Sequence, residues 1–456
     1  MMMGGVLGAY FAVKASVNFA GDLRRDVFAK VQKFSFANIE KFSTGSLVTR
    51  LTNDITNIQN VLSMGLRMLL RAPGMLIGGL IMAFLMNAKL ALVFCVVIPV
   101  LIIALAFVMK TAFPRFDVMQ TKIDGLNSRI QENITNQRVV KSFVRDDFEK
   151  ETFDRANNEL KDKTLRAMKV VILTMPIMTL AMNLTVMAVV WFGGQQILIG
   201  DMPVGNLTAF TTYVTQILMS LMMVSMIMIQ GSRAMASSHR ILEVLDTEPS
   251  IEDGTRDTFP VMKDGEVEFK DVSFKYPDAE EYVLEHISFS AKKGETIAFI
   301  GATGCGKSTA INLIPRFYDA TEGEVFVDGV NVKEYTQEAL HNKIGYVSQK
   351  AILFSGTIAD NVAYGENGKA PATQDDIAMA VKVAQASEFV EKKDQGYDGY
   401  VAQGGSNFSG GQKQRLSIAR AIARQPEILI FDDSFSALDY KTDRILREAL
   451  RKECKD

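Results

Sequence analysis

Four apolar stretches, at 72–88, 90–109, 170–200 and 202–232, contain no Asp, Glu, Lys, Arg or His. A helix rises about 1.5 Å per residue and the hydrocarbon core of a bilayer is about 30 Å thick, so a spanning helix needs roughly 20 apolar residues. Soluble core helices rarely run that far without a charge, and the four stretches read as membrane spans. The first two are separated by Asn87-Ala88-Lys89 and the last two by Gly200-Asp201-Met202-Pro203, sequences that permit tight reversals.

The connections on the other side, Lys14–Arg71 and Lys110–Lys169, carry nine and thirteen Lys/Arg, against one in the short turns. Basic loops stay in the cytoplasm, which places everything after Ser232 there as well. Ile130, Ile134, Val139, Val140 and Phe143 recur at helical spacing between charges, so these loops read as helical continuations of the spans. Residues 1–20 are largely apolar but lack a basic leader and a cleavage site, and are expected to be the inner end of a further span. The expected organisation is an all-α transmembrane bundle over 1–240, a linker over 241–264 and an α/β nucleotide-binding domain over 265–456. Within the bundle a partial span covers about 1–20, complete spans cover about 68–88, 90–110, 167–199 and 203–232, and cytoplasmic loops cover 21–67 and 111–166.

The absence of ionisable residues from the four charge-free stretches removes the usual equipment of a proton-coupled carrier, so energy must enter elsewhere. Met219, Met223 and Met226 share a helical face, preceded by Thr211, Thr212, Thr215 and Gln216. Thioethers suit either a cavity for varied apolar cargo or plain helix packing against lipid, and both readings stand. A net charge of −2 gives no electrostatic case for nucleic acid as a partner. Cys95, Cys305 and Cys454 are too scattered to suggest a disulfide framework or a zinc site.

After the polar stretch Asp246–Gly254 the pattern changes. Glu266–Lys270 alternates like a half-buried strand, and Thr296–Ile300 is a short apolar run of the kind buried in a mixed or parallel sheet. That run leads into Gly301-Ala302-Thr303-Gly304-Cys305-Gly306-Lys307-Ser308-Thr309, which matches GxxxxGK(S/T). Glycines let successive backbone N–H groups turn toward phosphate oxygens, Lys307 reaches the outer phosphates, and Ser308 offers a hydroxyl to Mg²⁺. Ile428–Asp432 is a second buried strand ending in a carboxylate, and Asp432 is placed to hold Mg²⁺ directly or through water. Together these residues specify a nucleoside triphosphate with Mg²⁺, not a dinucleotide.

Phe408-Ser409-Gly410-Gly411-Gln412 resembles the signature motif of ABC transporters, and read alone it is a plausible helix start. Further stretches carry the same resemblance. Tyr276 in Phe274-Lys275-Tyr276-Pro277 looks like the aromatic that stacks on adenine, Gln349 like the Q-loop glutamine at the metal and the catalytic water, and Ser436-Ala437-Leu438-Asp439 like the D-loop. Gly45–Asp54, Arg138–Phe143 and Leu353–Ile358 are similar to stretches of exporter-type members, including multidrug and lipid exporters. The resemblance implies that two such chains sandwich ATP, that Phe408–Gln412 acts on the partner's nucleotide, and that the long loops end in coupling helices touching the nucleotide domains.

Two departures matter. The family usually places Glu directly after the metal-binding Asp, where it acts as the base for the attacking water, but here the residue is Asp433. Gln403 likewise stands where exporters often carry Glu. Such a pattern resembles the degenerate-site subunit of a heterodimeric exporter; a slow homodimer and a harmless Asp/Glu exchange are the alternatives. His239, His286 and His341 do not fill the switch-histidine position, so the sequence is expected to be a fragment of a longer half-transporter, incomplete at both ends. A soluble ABC ATPase of DNA repair or translation shares the nucleotide motifs but needs no membrane spans. A non-pumping regulator or gated channel remains open, and the cargo does not follow from the fold.

Overall fold

The computed structural model describes residues 2–68, 71–258, 265–277, 279–368 and 370–454. The first half is helical throughout: α1 (Met2–Gln32), α2 (Phe36–Phe42), α3 (Thr44–Thr49), a π-helical turn (Arg50–Asp54), α4 (Ile55–Met68), α5 (Arg71–Met86), α6 (Ala88–Thr135), α7 (Gln137–Ser142), α8 (Asp146–Ile172), α9 (Thr174–Leu198) and α10 (Val204–Asp246). Among the described residues, the helical stretches Thr44–Met86, Ala88–Thr135 and Asp146–Leu198 are long and apolar enough to cross a membrane. The 48 residues of α6 extend about 72 Å, more than twice the hydrocarbon thickness, so the helix itself carries the chain from lipid into cytoplasm. The expected span at 203–232 falls in α10; the side chain of Met226 lies outside the described residues.

The chain folds as two compact units, one of Met1–Val27 with Thr49–Glu243 and the other of Phe28–Val48 with Val244–Asp456. In the first, Phe94 of α6 stacks on Phe210 of α10 at 5.6 Å, among the buried Val189, Val214 and Ile217. Small residues let the helices close in. A Cβ on Gly79 would lie 2.9 Å from the Ile217 side chain, and one on Gly193 would lie 2.6 Å from that of Leu207. Asn87 caps α6 by accepting from the Leu90 N–H at 3.1 Å, and its amide donates to Gln196. At the π-helical turn the buried Asp54 accepts from Ser237 Oγ at 2.8 Å and Arg240 Nε at 2.8 Å, while Arg50 pairs with Glu243 at 2.9 Å. Each buried charge there has its counterion, as desolvation requires.

The second unit contains β1 (Val267–Phe274), β2 (Leu284–Ala291), α11 (Lys307–Asn312), β3 (Glu322–Val327), β4 (Val330–Asn331), α12 (Gln337–Lys343), β5 (Ile344–Val347), β6 (Gly356–Thr357), α13 (Ile358–Val362), α14 (Gln374–Val383), α15 (Ser387–Val390), β7 (Tyr400–Val401), α16 (Gly410–Ala423), β8 (Ile428–Phe431) and α17 (Tyr440–Glu453). An antiparallel sheet runs β2-β1-β3-β4, and β5 pairs with β8 in parallel. One apolar core lies under the antiparallel sheet around Phe269, Phe274, Leu313 and Tyr335. A second gathers Val381, Leu416, Ile418 and Leu446 from α14, α16 and α17. The alternation expected from residue 266 onward holds as Val267 and Phe269 inward and Lys270 outward. It breaks at Asp271, whose φ of 51° accompanies a register shift between Phe269 and Val272, the mark of a bulge.

The buried strand expected at Thr296–Ile300 is not formed. These residues have no ladder partner, and Ile300 is 95% exposed. The parallel edge of β8 is taken by β5, Ile344↔Ile428 through Val347↔Phe431, while Phe299 meets Phe289 of β2 edge-on at 5.2 Å. A five-residue apolar run does not encode whether a neighbouring strand will be there to pair with it.

Residues 28–48 of the first long loop belong to the unit that carries the nucleotide motifs. Ser35 caps α2 in a reciprocal box with Asn38. The Phe36 ring sits 4.6 Å from that of Phe317, and Tyr318 donates to Glu40 at 2.9 Å. Asn38 donates to the Glu248 carbonyl at 3.2 Å and accepts from the Ser250 N–H at 3.0 Å. The stretch that reads as a linker is thus pinned at Ser250, and again at Gly254, where an added Cβ would strike the Glu334 carbonyl oxygen at 2.1 Å. The second loop ends in α7, which lies in the membrane unit with Val139 and Phe143 exposed.

Candidate nucleotide site

Gly306, with φ of 87°, caps α11 from a left-handed conformation that a side chain would resist, and a Cβ there would also crowd Leu284 and the Val283 carbonyl. Gly304 is left-handed too, at φ 85°. These reversals turn the loop Gly301–Thr309 so that Lys307 folds back across it, donating from Nζ to the carbonyls of Ala302 at 2.7 Å and Gly301 at 3.0 Å. Thr303 lies in the same turn, and the Cys305 sulfur is 3.8 Å from Lys307 Nζ. An ammonium and a row of loop N–H groups give this segment the donors a polyphosphate needs.

The loop is joined to the end of β8. Ser308 Oγ donates to Asp432 Oδ1 at 2.6 Å, and the Asp432 N–H donates to the Val347 carbonyl at 2.9 Å, so the β5–β8 pairing fixes where this carboxylate points. Tyr346 adds a second restraint, its hydroxyl donating to Asn312 Oδ1 at 2.9 Å and facing Asp432 Oδ2 at 3.4 Å. Burial, with the Asp432 carboxylate beside it, pushes the Tyr346 hydroxyl well above its ordinary pKa and keeps it a donor. Gln349 Nε2 donates to Asp433 Oδ2 at 3.4 Å. Hydroxyl, carboxylate and amide oxygens make a hard donor set, the kind that suits Mg²⁺. Tyr276 stands alongside, its hydroxyl 3.1 Å from Thr309 Oγ1 and its ring edge-on to Phe274 and Tyr318.

The other motif residues form a second group. Ser409 caps α16 by accepting from the Gln412 N–H at 3.3 Å, and Gln412 Oε1 accepts from the Ser409 N–H at 3.0 Å. Phe408 is buried beneath this turn, with the Lys393 ammonium 4.4 Å from its ring centre. Gly410 leads into the helix, and a Cβ on Gly411 would lie 3.1 Å from the Ala437 carbonyl, so the signature turn packs on the D-loop. Within the D-loop, Ser436 Oγ donates to the Asp433 carbonyl at 2.9 Å and the Leu438 N–H to Phe435. Asp439 caps α17, accepting from Thr442 Oγ1 at 2.6 Å and from the Thr442 N–H at 3.1 Å, bonds that hold its carboxyl below the usual range. Gln403 lies in an exposed turn.

Sequence reasoning passed over Tyr346 and Asn312. Tyr346 lies three residues before Gln349, but its partner Asp432 is 86 residues away, and no local pattern links them.

Helices long enough to span a bilayer, joined to an α/β domain with a phosphate loop facing a strand-end carboxylate, define a membrane-bound P-loop nucleoside triphosphatase. Comparison with known proteins narrows this class. Residues 1–221 match the ABC transporter transmembrane region and residues 284–436 match the ABC transporter family. The ABC transporter ATP-binding protein YfiB of Bacillus subtilis is 42% identical over 446 residues, covering 98% of this chain and 77% of that protein. The ATP-dependent lipid A-core flippase of Desulfotalea psychrophila is 34% identical over 429 residues, covering 94% and 74%. A bacterial Atm1-family ABC exporter solved with ATP bound superposes with a TM-score of 0.82 at 26% identity, covering 97% of this chain and 77% of that one.

The chain belongs to the ABC transporter family, as a half-transporter of the exporter type. It is an integral membrane protein whose nucleotide-binding domain is cytoplasmic, and it binds ATP and couples ATP hydrolysis to export.

Proposed function

We propose that this chain is one half of a heterodimeric exporter, that its own ATP site turns over slowly, and that its signature residues complete the faster site of a different half-transporter chain. The observation that carries this is Asp433. It stands where the family places the longer Glu, and its carboxylate is held by Gln349 at 3.4 Å. A base one methylene short sits roughly an ångström farther from a water positioned for the usual residue, and general-base catalysis depends on that reach.

In this reading Gly301–Thr309 cradles the phosphates, Lys307 meets the outer ones, and the Tyr276 ring stacks on adenine. Ser308 and Asp432, with Gln349 nearby, hold Mg²⁺, which when bound neutralises charge developing on the transferred phosphoryl. The roles of Phe408–Gln412 and Ser436–Asp439 lie across the dimer interface. The transmembrane domain is taken as 1–240, the linker as 241–264 and the nucleotide-binding domain as 265–456. Support for a partner comes from α7, where Phe143 is 74% exposed at the tip of a long loop; an apolar ring so placed suits a contact from another subunit. Likeness to a lipid flippase supports a lipid or small amphipathic cargo, with no part for nucleic acid.

The test is isolation of the full-length protein from its host membrane in mild detergent. A second, different ABC half-transporter is expected in one-to-one ratio, and the pair in inverted vesicles should take up cargo only with ATP. A dimer of this chain alone would overturn the heterodimer in favour of a slow homodimer. ATP-gated conductance without uptake would replace pumping by gating.

A further inference from the structure

The β5–β8 pairing aims the Asp432 side chain through the backbone, but rotation of the carboxylate about its last bond remains, and in aspartate that torsion is broad and two-fold. Two tethers on opposite oxygens settle it. Ser308 Oγ donates to Oδ1 at 2.6 Å, and the Tyr346 hydroxyl faces Oδ2 at 3.4 Å. Both tethers start from one face of α11. Ser308 and Asn312 are four residues apart in that helix, a spacing that sets side chains on the same side. Ser308 reaches the carboxylate directly, and Asn312 reaches it through Tyr346, whose hydroxyl donates to Asn312 Oδ1 at 2.9 Å. The tyrosine is itself held in place. It lies opposite Ile430 of β8, and Phe317 meets its ring edge-on at 5.3 Å. A phenylalanine would make the same ring contact, so what tyrosine adds at this position is the oxygen that meets Asn312 and Asp432.

We infer that Tyr346, anchored by Asn312, is a positioning residue for the metal: its hydroxyl holds Asp432 Oδ2, so that the carboxylate and the Ser308 hydroxyl are presented to Mg²⁺ together. Groups that hold a metal's ligands in place typically change its affinity about 10–100-fold when they are removed. The inference rests on the reading of Ser308 and Asp432 as the residues that hold Mg²⁺, and it adds what orients them.

Tyr346→Phe keeps the ring and removes the oxygen. In the full-length transporter, photolabelling of this chain by 8-azido-ATP on ice reads nucleotide affinity without turnover, once with excess Mg²⁺ and once with EDTA. Mg²⁺ is expected to tighten binding to the wild type. Tyr346→Phe should lose about tenfold of the affinity measured with Mg²⁺ while matching the wild type in EDTA. Asn312→Ala should lose affinity in the same Mg²⁺-dependent way, and the double variant should lose no more than Tyr346→Phe alone, because both act through one hydroxyl. An undiminished Mg²⁺ effect in Tyr346→Phe, an equal loss with and without Mg²⁺, or additive losses in the double variant would overturn the inference. Asp432→Asn separates it from the reading beneath it. If that variant keeps the full Mg²⁺ effect, the assignment of Asp432 to the metal falls and the inference with it. If Asp432→Asn abolishes the effect and Tyr346→Phe leaves it untouched, only the role of Tyr346 falls.

Discussion

Asp433 holds a left-handed backbone, φ 46°, directly after the carboxylate that faces Ser308. Short polar side chains tolerate this conformation better than longer ones, at a cost of roughly 1–2 kcal/mol for most residues. In the proposed reading the position therefore balances local comfort against catalytic reach. In the assembled pair, Asp433→Glu is expected to raise ATP turnover at this site by about tenfold or more, since a positioned base contributes about 10²–10⁴-fold. Steady-state ATPase with the partner's site disabled measures it, and unchanged turnover would show that reach is not limiting. A second residue-scale effect comes from His341, whose Nε2–H donates to the Pro315 carbonyl at 2.7 Å. Burial holds this imidazole below its ordinary pKa. Below about pH 6.5 the unfolded chain takes up a proton that the folded one resists, so stability falls as pH drops through that region and is flat above it. His286, paired with Asp271 and raised, has the opposite slope but lies exposed. His341→Gln should therefore flatten the acid side of a thermal-midpoint profile of the detergent-solubilised protein; a profile unchanged by the substitution would refute the assignment.

At the scale of elements, α2 lies in the stretch that matches the transmembrane region yet belongs to the unit of the nucleotide motifs, where Phe36, Asn38 and Glu40 make its contacts. Its capping box satisfies the N-terminal donors of this seven-residue helix. Removing the Phe36 ring loses about 1 kcal/mol of aromatic contact with Phe317. Phe36→Ala is expected to leave ATP binding intact while cutting cargo-stimulated ATPase and vesicle uptake several-fold, and equal stimulation in the variant would show that this contact does not carry coupling. The other loop helix, α7, exposes Val139 and Phe143, so the two loops differ in where their apolar surface goes. One packs within the chain and the other stays exposed.

For the whole molecule, the chemistry and the cargo path are built by different rules. The nucleotide group depends on backbone pairing, because β5 beside β8 aims Asp432 while Val347 anchors both Asp432 and Ser434. The membrane unit depends on close approach at glycine and on charges paired wherever they are buried. In the proposed reading the catalytic groups are split between two chains, so an ATPase assay of the separated chain is expected to show ATP binding retained and most hydrolysis lost.

Spans, orientation and the phosphate loop are legible in the residues because each follows from a local rule: charge-free length, Lys/Arg asymmetry, glycine at left-handed turns. Strand β8 and its terminal carboxylate are legible for the same reason. Tertiary structure decided the rest. It left Thr296–Ile300 outside any sheet, brought Tyr346 to Asp432, and docked α2 and the stretch that reads as a linker beside the nucleotide motifs. Each of these is a pairing between residues distant in sequence, where geometry, hydrogen-bond supply and burial choose among partners that composition leaves equivalent.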